Sequence, residues 1–183
     1  MAIIEEYYIV EATLKYSTNY ILAAAYYFLM KEEGFKEFAS KNKVDGHIDI
    51  GYGFVWDFVP EVRGVNRISI PDAQRLLYKL VIEKYNNVIS KSKEHTIGFT
   101  AGEKIACISL IYQNGFGNFA NHMDSHMEKK NKKGMSREFA NMDTVRGKGS
   151  IASIGSRRGR EKTIFDADDK DLDRIIKKLI TRR

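Results

Sequence analysis

The chain has 183 residues, 43% of them hydrophobic, which suits one compact domain with short extensions and excludes a disordered or fibrous protein. Its net charge of +6 suits a polyanionic partner, such as an anionic wall polymer, a nucleic acid or a membrane surface. The longest apolar run, residues 20–30, is shorter than the roughly 20 residues of a membrane span. The single cysteine, Cys107, excludes an intrachain disulfide and lies in an apolar run typical of a core.

The first predicted helix covers residues 19–33. Residues 1–16 are rich in Ile, Tyr and Val and are interpreted as a strand or an irregular arm. The N-terminus is acidic and has no basic region, so no secretory signal is predicted. Ser17 and its neighbours offer helix caps, and Gly34 is a natural helix stop.

A β-hairpin is predicted between residues 35 and 54. Asp45-Gly46 is a strong signal for a tight turn. The alternation of side chains then places His47, Asp49 and Gly51 on one face of the second strand. Residues 54–70 are predicted to form a long connection without regular structure.

The second half of the chain is predicted to be helical. Pro71 opens a helix with an apolar stripe, and Thr100–Glu103 forms a capping box before a nearly all-apolar helix that ends at Asn114–Gly115. Residues 128–149 are basic and polar, and the lysine run 129–133 is interpreted as a solvated loop that could also attract an anionic wall polymer. A further helix is predicted over 150–165, and an amphipathic helix is predicted in the tail.

Together these segments resemble the phage-type lysozymes (glycoside hydrolase family 24). In that family a helix ends in Glu-Gly, and a hairpin carries Ile-Gly-Tyr-Gly-His. The matching segments here follow in the same order: Glu33-Gly34, Asp45 to Phe54 with Ile50-Gly51-Tyr52-Gly53, Asp72 to Leu77, Phe99 to Gly115, and Arg157 to Phe165.

The resemblance implies an α+β, mainly helical, lysozyme-like two-lobe fold, with a small β-hairpin lobe beside a larger helical lobe. The implied family domain covers 19–165. It leaves an N-terminal arm, 1–18, and a C-terminal amphipathic tail, 166–183, as candidate docking segments for virion structural proteins.

The chain departs from the family pattern in the hairpin. The family Asp is replaced by Asn42, or by Lys43 in an alternative alignment. The family Thr is replaced by Asp49, and the His after Gly-Tyr-Gly is replaced by Phe54. One carboxylate is therefore lost while another appears at a neighbouring catalytic position.

Two carboxylates facing one cleft are what glycosidic bond cleavage requires. Glu33 is the candidate general acid, at the end of a helix where a negative charge is locally unfavourable. Asp49 is the candidate base or nucleophile, and a surface ion pair with a lysine is the structural alternative. Asp45 is a fallback second carboxylate, although a turn residue is its simpler interpretation. His47 is a candidate for tuning Asp49 or contacting substrate.

The resemblance places Gln113, Asn114 and Tyr52 as candidate substrate-binding residues. His122 and His126 have the helical spacing of metal ligands, but the pattern lacks the glutamate of a zinc protease, so a polar surface is favoured. No metal and no cofactor is predicted. Arg157 and Arg158 are expected to form structural ion pairs with Glu161 or the first helix.

The implied activity is that of a muramidase, which cleaves the β-1,4 bond between N-acetylmuramic acid and N-acetylglucosamine in bacterial peptidoglycan. The resemblance implies a phage endolysin or a virion-associated lysin. It would be made in the host cytoplasm without a signal peptide and act at the cell wall. Two alternatives stay open: a catalytically impaired binding or structural protein, and a lytic transglycosylase that uses Glu33 alone. Nucleic-acid binding rests on charge alone, with no recognition motif, and is not predicted.

Overall fold

A computed structural model describes residues 17–42, 46–142, 144–145, 149–150 and 152–181, with only the backbone for 144–155. Within these ranges the chain forms seven α-helices and five short strands. In chain order they are α1 (Thr18–Glu33), β1 (Lys36–Lys41), β2 (Ile48–Gly51), β3 (Phe54–Val55), α2 (Ile70–Glu94), α3 (Ala101–Asn114), α4 (Phe116–Glu128), α5 (Lys132–Asn141), β4 (Thr144–Val145), β5 (Gly149–Ser150), α6 (Ala152–Phe165) and α7 (Leu172–Thr181). The prediction for residues 1–16 and the role of Asp45 lie outside the described residues.

Helix α1 forms as the sequence predicts, because both of its ends carry strong local signals. The Ser17 hydroxyl accepts a hydrogen bond from the Tyr20 N–H, which caps the first turn. Gly34 ends the helix with a φ of +65°, a conformation that favours glycine. The helix buries the apolar face that contains Phe28 and Leu29 and leaves Glu33 at its C-terminus, beside the hairpin.

The predicted hairpin is confirmed, and it belongs to a three-stranded antiparallel sheet in the order β1-β2-β3. Ile50 pairs with Phe54, and both side chains are fully buried. The expectation of an irregular connection over 54–70 was wrong at its start, where Phe54–Val55 forms the third strand, and a 3-10 turn follows at Pro60–Val62. A two-residue strand is too short to show the alternation by which strands are predicted.

Helix α3 is the centre of the larger lobe and packs against α1, α2 and α6. The predicted capping box is present: the Glu103 N–H donates to Thr100, and the Thr100 N–H donates to the Glu103 carboxylate. Cys107 is fully buried, as predicted, and burial raises the pKa of its thiol. The thiol is therefore a small core group and not a nucleophile.

Helices α3 and α6 approach closely at Gly102, which gives a stability prediction. A Cβ at this position would collide with the carbonyl oxygen of Ile164, which belongs to the backbone and cannot turn aside. We expect Gly102→Ala to lower the free energy of unfolding by about 1–3 kcal/mol. Gly117, in helix α4 with open space around it, is the matched control. Gly117→Ala should leave stability unchanged or raise it by up to about 1 kcal/mol, and urea denaturation of both variants tests the contrast.

The lysine run 129–133 was expected to be a solvated loop, and the structure corrects this for its last two residues. Helix α5 begins inside the lysine run at Lys132, where the Asn131 side chain accepts a hydrogen bond from the Gly134 N–H. Met135 and Phe139 anchor the helix in the core. The local excess of charge concealed a helix whose buried face has few apolar residues.

The C-terminal tail is helical, as predicted, but it packs on the body of the protein. Leu172, Ile176 and Leu179 of α7 are buried in the main core. Asp173 accepts a 2.5 Å hydrogen bond from the Tyr20 hydroxyl of α1. The apolar stripe of the tail is thus covered by this chain itself, which leaves less of it for a docking partner. None of the described helices has the combined length and apolarity needed to cross a membrane.

Candidate active site between the first helix and the hairpin

Glu33 is the last residue of α1, and its side chain is 18% exposed. The guanidinium of Arg157, in α6, donates from Nη1 to Glu33 Oε1 at 2.5 Å. A charge-assisted hydrogen bond of this kind fixes the direction of a carboxylate at a helix end, where the helix dipole does not favour it. The Glu33 carboxylate therefore has a fixed orientation at the surface of the larger lobe.

Arg157 is itself fixed in place by buried residues of α3 and α6. Its side chain is 6% exposed, its Nε donates to Glu161 Oε1 at 3.0 Å, and its Nη2 donates to Ser109 Oγ at 3.1 Å. Burial alone lowers the pKa of Arg157, but the charges of Glu33 and Glu161 outweigh it and raise the pKa above the ordinary value. The guanidinium thus stays charged, and its contacts with α3 and α6 fix the position of the Glu33 carboxylate.

The loop after strand β2 closes against the second oxygen of Glu33. A Cβ at Gly53 would lie 2.9 Å from Glu33 Oε2, and Gly53 has a φ of +75°. The Tyr112 hydroxyl, from α3, donates a 2.6 Å hydrogen bond to the Tyr52 carbonyl and ties this loop to the helical lobe. Burial, aided by the negative charge of Glu33, raises the pKa of Tyr112 well above its usual range, so the hydroxyl remains a donor. The glycine of the Tyr-Gly pair is what allows hairpin and carboxylate to meet.

Asp49 is buried, with 6% of its surface exposed, and it is ion-paired. Lys36 Nζ donates to both carboxylate oxygens at 2.8 Å, and Ser40 Oγ donates to Oδ1 at 3.2 Å. The ion pair with a lysine, which the sequence left open as the structural alternative, is present, but β1 lies alongside and the carboxylate is buried and not solvated. These contacts orient the carboxylate within the hairpin and direct it toward β1.

His47, the other described candidate in the hairpin, pairs with a different carboxylate. His47 Nδ1 lies 2.8 Å from Asp57 Oδ2, and its ring lies 5.3 Å from that of Phe58. This carboxylate partner is Asp57 and not Asp49, so the structure does not support tuning of Asp49 by His47 through this contact.

Two of the three predicted substrate-binding residues, Gln113 and Asn114, meet at Arg158. Its Nη2 donates to Gln113 Oε1 at 2.6 Å and to Asn114 Oδ1 at 2.8 Å. Gln113 is exposed, and Asn114 is half-buried. The Tyr52 side chain is only 4% exposed and packs against Phe35, so little of it is available to a ligand. Substrate binding by these three residues stays a prediction.

The sequence predicted ion pairs of the two arginines with Glu161 or the first helix, and Arg157 pairs with both, but Glu33 was not singled out as its partner in that helix. The sequence left open an ion pair of Asp49 with a lysine but did not identify Lys36 as that lysine. The described histidine pair, His122 and His126, flanks Glu138, with ring nitrogens 3.0 and 3.5 Å from its oxygens.

A helix-borne glutamate that faces a β-hairpin across the junction of two lobes is the arrangement of a lysozyme-type glycosidase. The sequence agrees with this class, because residues 30–161 match the phage lysozyme family. The chain belongs to the phage lysozyme family, and its function class is that of a peptidoglycan hydrolase.

Solved structures show the same fold. The muramidase domain of SpmX from Asticaccaulis excentricus is 21% identical, with a TM-score of 0.66, over 79% of this chain and 96% of that chain. An endolysin from Escherichia coli O157:H7 phage FAHEc1 is 24% identical, with a TM-score of 0.61, over 80% of this chain and 90% of that chain. No curated protein sequence matches the chain.

Proposed function

We propose that the protein is a muramidase that hydrolyses the β-1,4 bond between N-acetylmuramic acid and N-acetylglucosamine, with Glu33 as the general acid. The observation that carries the proposal is the fixed position of the Glu33 carboxyl, held by Arg157 through Oε1 and faced by the Gly53 loop at Oε2. Protonation of the glycosidic oxygen is the first requirement of this reaction.

In this mechanism the two oxygens of Glu33 have different tasks. Arg157 occupies Oε1 and sets the plane of the carboxyl group. The Oε2 side, toward the hairpin, then presents the proton to the leaving oxygen of the sugar. A positioned acid of this kind contributes a factor of about 10²–10⁴ to the rate.

Asp49 is proposed as the second carboxylate, acting as a base toward water or as a nucleophile toward the anomeric carbon. Lys36 and Ser40 fix its orientation. The Lys36 side chain is 45% exposed, so it can withdraw into solvent when a sugar enters and release an oxygen of Asp49. The choice between inversion and retention depends on the separation of the two carboxyls in the substrate complex.

The ion pair of Asp49 also supports a second candidate function. If Lys36 keeps Asp49 engaged throughout turnover, Glu33 would work alone, as in a lytic transglycosylase. The products would then carry anhydro-muramic ends instead of reducing ends.

Asp49→Asn separates these two functions. For the muramidase we expect a loss of about 10²-fold or more in the rate of release of soluble fragments from purified peptidoglycan, because the substituted amide is neither base nor nucleophile. Asp57→Asn is the matched control, since Asp57 is an exposed carboxylate of the same lobe that pairs with His47. It should keep nearly full activity. Retained activity in Asp49→Asn, with anhydro ends in the mass spectrum, would support the transglycosylase and exclude the two-carboxylate mechanism.

The biological setting proposed is that of a phage endolysin or a virion-borne lysin, with peptidoglycan as the partner. The net charge of +6 favours approach to an anionic cell wall. Contacts with virion structural proteins would involve the terminal segments 1–18 and 166–183.

A further inference from the structure

Three potential metal ligands meet where α2 ends against the middle of α4, at positions that the mechanism above does not use. Glu94 is the last residue of α2, His95 follows it as the C-cap, and Asp124 lies on α4. One ligand atom from each lies within 4.8 Å of the other two. The cluster thus joins two helices that are separated by the whole of α3 in the sequence.

His95 is the informative member, because its side chain is 9% exposed and its Nε2 is buried without a hydrogen-bond partner among the described residues. Asp124 Oδ1 is buried and equally without a partner there. The two atoms face each other at 3.4 Å, and His95 Nε2 lies 3.6 Å from Glu94 Oε1. Buried polar atoms nearly always have hydrogen-bond partners, so two that face each other at ion-pair distance without a hydrogen bond require an explanation.

The spacing of these atoms is that of ligands around a small divalent cation. Bonds of about 2.0–2.2 Å to a tetrahedral zinc ion place neighbouring ligand atoms about 3.3–3.6 Å apart. One imidazole nitrogen and two carboxylate oxygens form a donor set that zinc accepts, with water as the fourth ligand.

We propose that Glu94, His95 and Asp124 form a zinc site that fastens the C-terminal end of α2 to α4. The ion enters from the side of Glu94, whose side chain is 54% exposed. The bound ion satisfies both orphan atoms at once. Its role is structural, because the ligands come from the outer end of α2 and from α4 and include none of the residues assigned to catalysis.

Lys91 prepares the site and also moderates its affinity. Its ammonium donates to Asp124 Oδ2 at 2.8 Å and to Glu94 Oε1 at 3.1 Å, which orients both carboxylates and leaves Asp124 Oδ1 directed at His95. The positive charge of Lys91 opposes that of the cation. The site is therefore expected to bind zinc reversibly and more weakly than an all-thiolate structural site.

The test is a calorimetric titration of the full chain with zinc alone, together with thermal unfolding in the presence of zinc. We expect one equivalent to bind, and at a hundredfold excess over Kd we expect the unfolding midpoint to rise by about 5–10 °C. His95→Gln and Asp124→Asn should each weaken binding at least about tenfold. His122→Gln is the matched control, because His122 lies on the same helix as Asp124 but is hydrogen-bonded to Glu138. It should bind zinc as the wild type does.

A second measurement keeps the proposal testable if a variant fails to fold. Cobalt bound in place of zinc in the wild-type protein should give the intense visible bands of tetrahedral coordination. The proposal is overturned if the wild type binds no zinc, if cobalt gives only the weak bands of the hydrated ion, or if His122→Gln loses as much affinity as His95→Gln.

Discussion

Glu33→Gln is expected to lower the rate of peptidoglycan hydrolysis by a factor of about 10²–10⁴, the largest effect of any single substitution on activity. The glutamine side chain has the same shape, and its oxygen can still accept the hydrogen bond from Arg157. It has no acidic proton for the leaving oxygen of the sugar. The measurement is the rate of fragment release from purified peptidoglycan, with a circular dichroism spectrum to verify the fold.

Glu32→Gln is the control for this experiment. Glu32 precedes Glu33 in the same helical turn and is also paired with an arginine of α6, because Arg160 donates to its two oxygens at 2.6 and 2.5 Å. It has the same charge and a similar kind of partner, but its role in the account is structural. We expect its activity to stay within about twofold of wild type. Equal losses in the two variants would indicate that charge near α6, and not proton donation by Glu33, supports the activity.

Glu161→Gln is expected to cause the largest loss of stability, about 3–5 kcal/mol in the free energy of unfolding. Glu161 is 0% exposed and is the shared partner of Arg157 and Arg158, and it also accepts a hydrogen bond from Ser109. Without its charge, two buried guanidiniums lie side by side with much less compensation. Urea denaturation followed by circular dichroism measures the change.

Asp171→Asn is the corresponding control, because it removes a carboxylate from an exposed pair with Arg174. Solvent screens such pairs, and the expected change is below about 1 kcal/mol. If Glu161→Gln were as stable as Asp171→Asn, the buried cluster would not be what fixes α6 to the core. The proposed support of Glu33 by Arg157 would then lose its basis.

Much of the fold could be predicted because its signals are local. The cap at Ser17 with the stop at Gly34, and the capping box at Thr100, lie within a few residues of the helix ends that they define. Strand β3 and helix α5 were missed for the opposite reason. Their formation depends on tertiary partners, since Phe54 pairs with Ile50, and α5 is stabilised by the burial of a few residues such as Phe139.

The candidate site divides in the same way. The family pattern identified Glu33, but no spacing rule could link it to Arg157, which is 124 positions away. Alternation along the strand predicted which face of β2 carries Asp49, but it could not predict which residues surround the side chain. Its burial and its bond to Lys36 depend on how β1 folds across it, and that is a property of the assembled sheet. The sequence likewise could not group the proposed zinc ligands Glu94, His95 and Asp124, because these residues meet only when α2 packs against α4.

The most direct test of the central claim is digestion of purified peptidoglycan in water enriched in oxygen-18, with rapid reduction of the products and mass spectrometry. If Glu33 drives hydrolysis, each newly formed muramic acid end will contain the heavy oxygen, and the Glu33→Gln protein will form such ends at least about a hundredfold more slowly. Anhydro ends without label, or no fragments from a folded wild-type protein on several wall types, would contradict the muramidase mechanism.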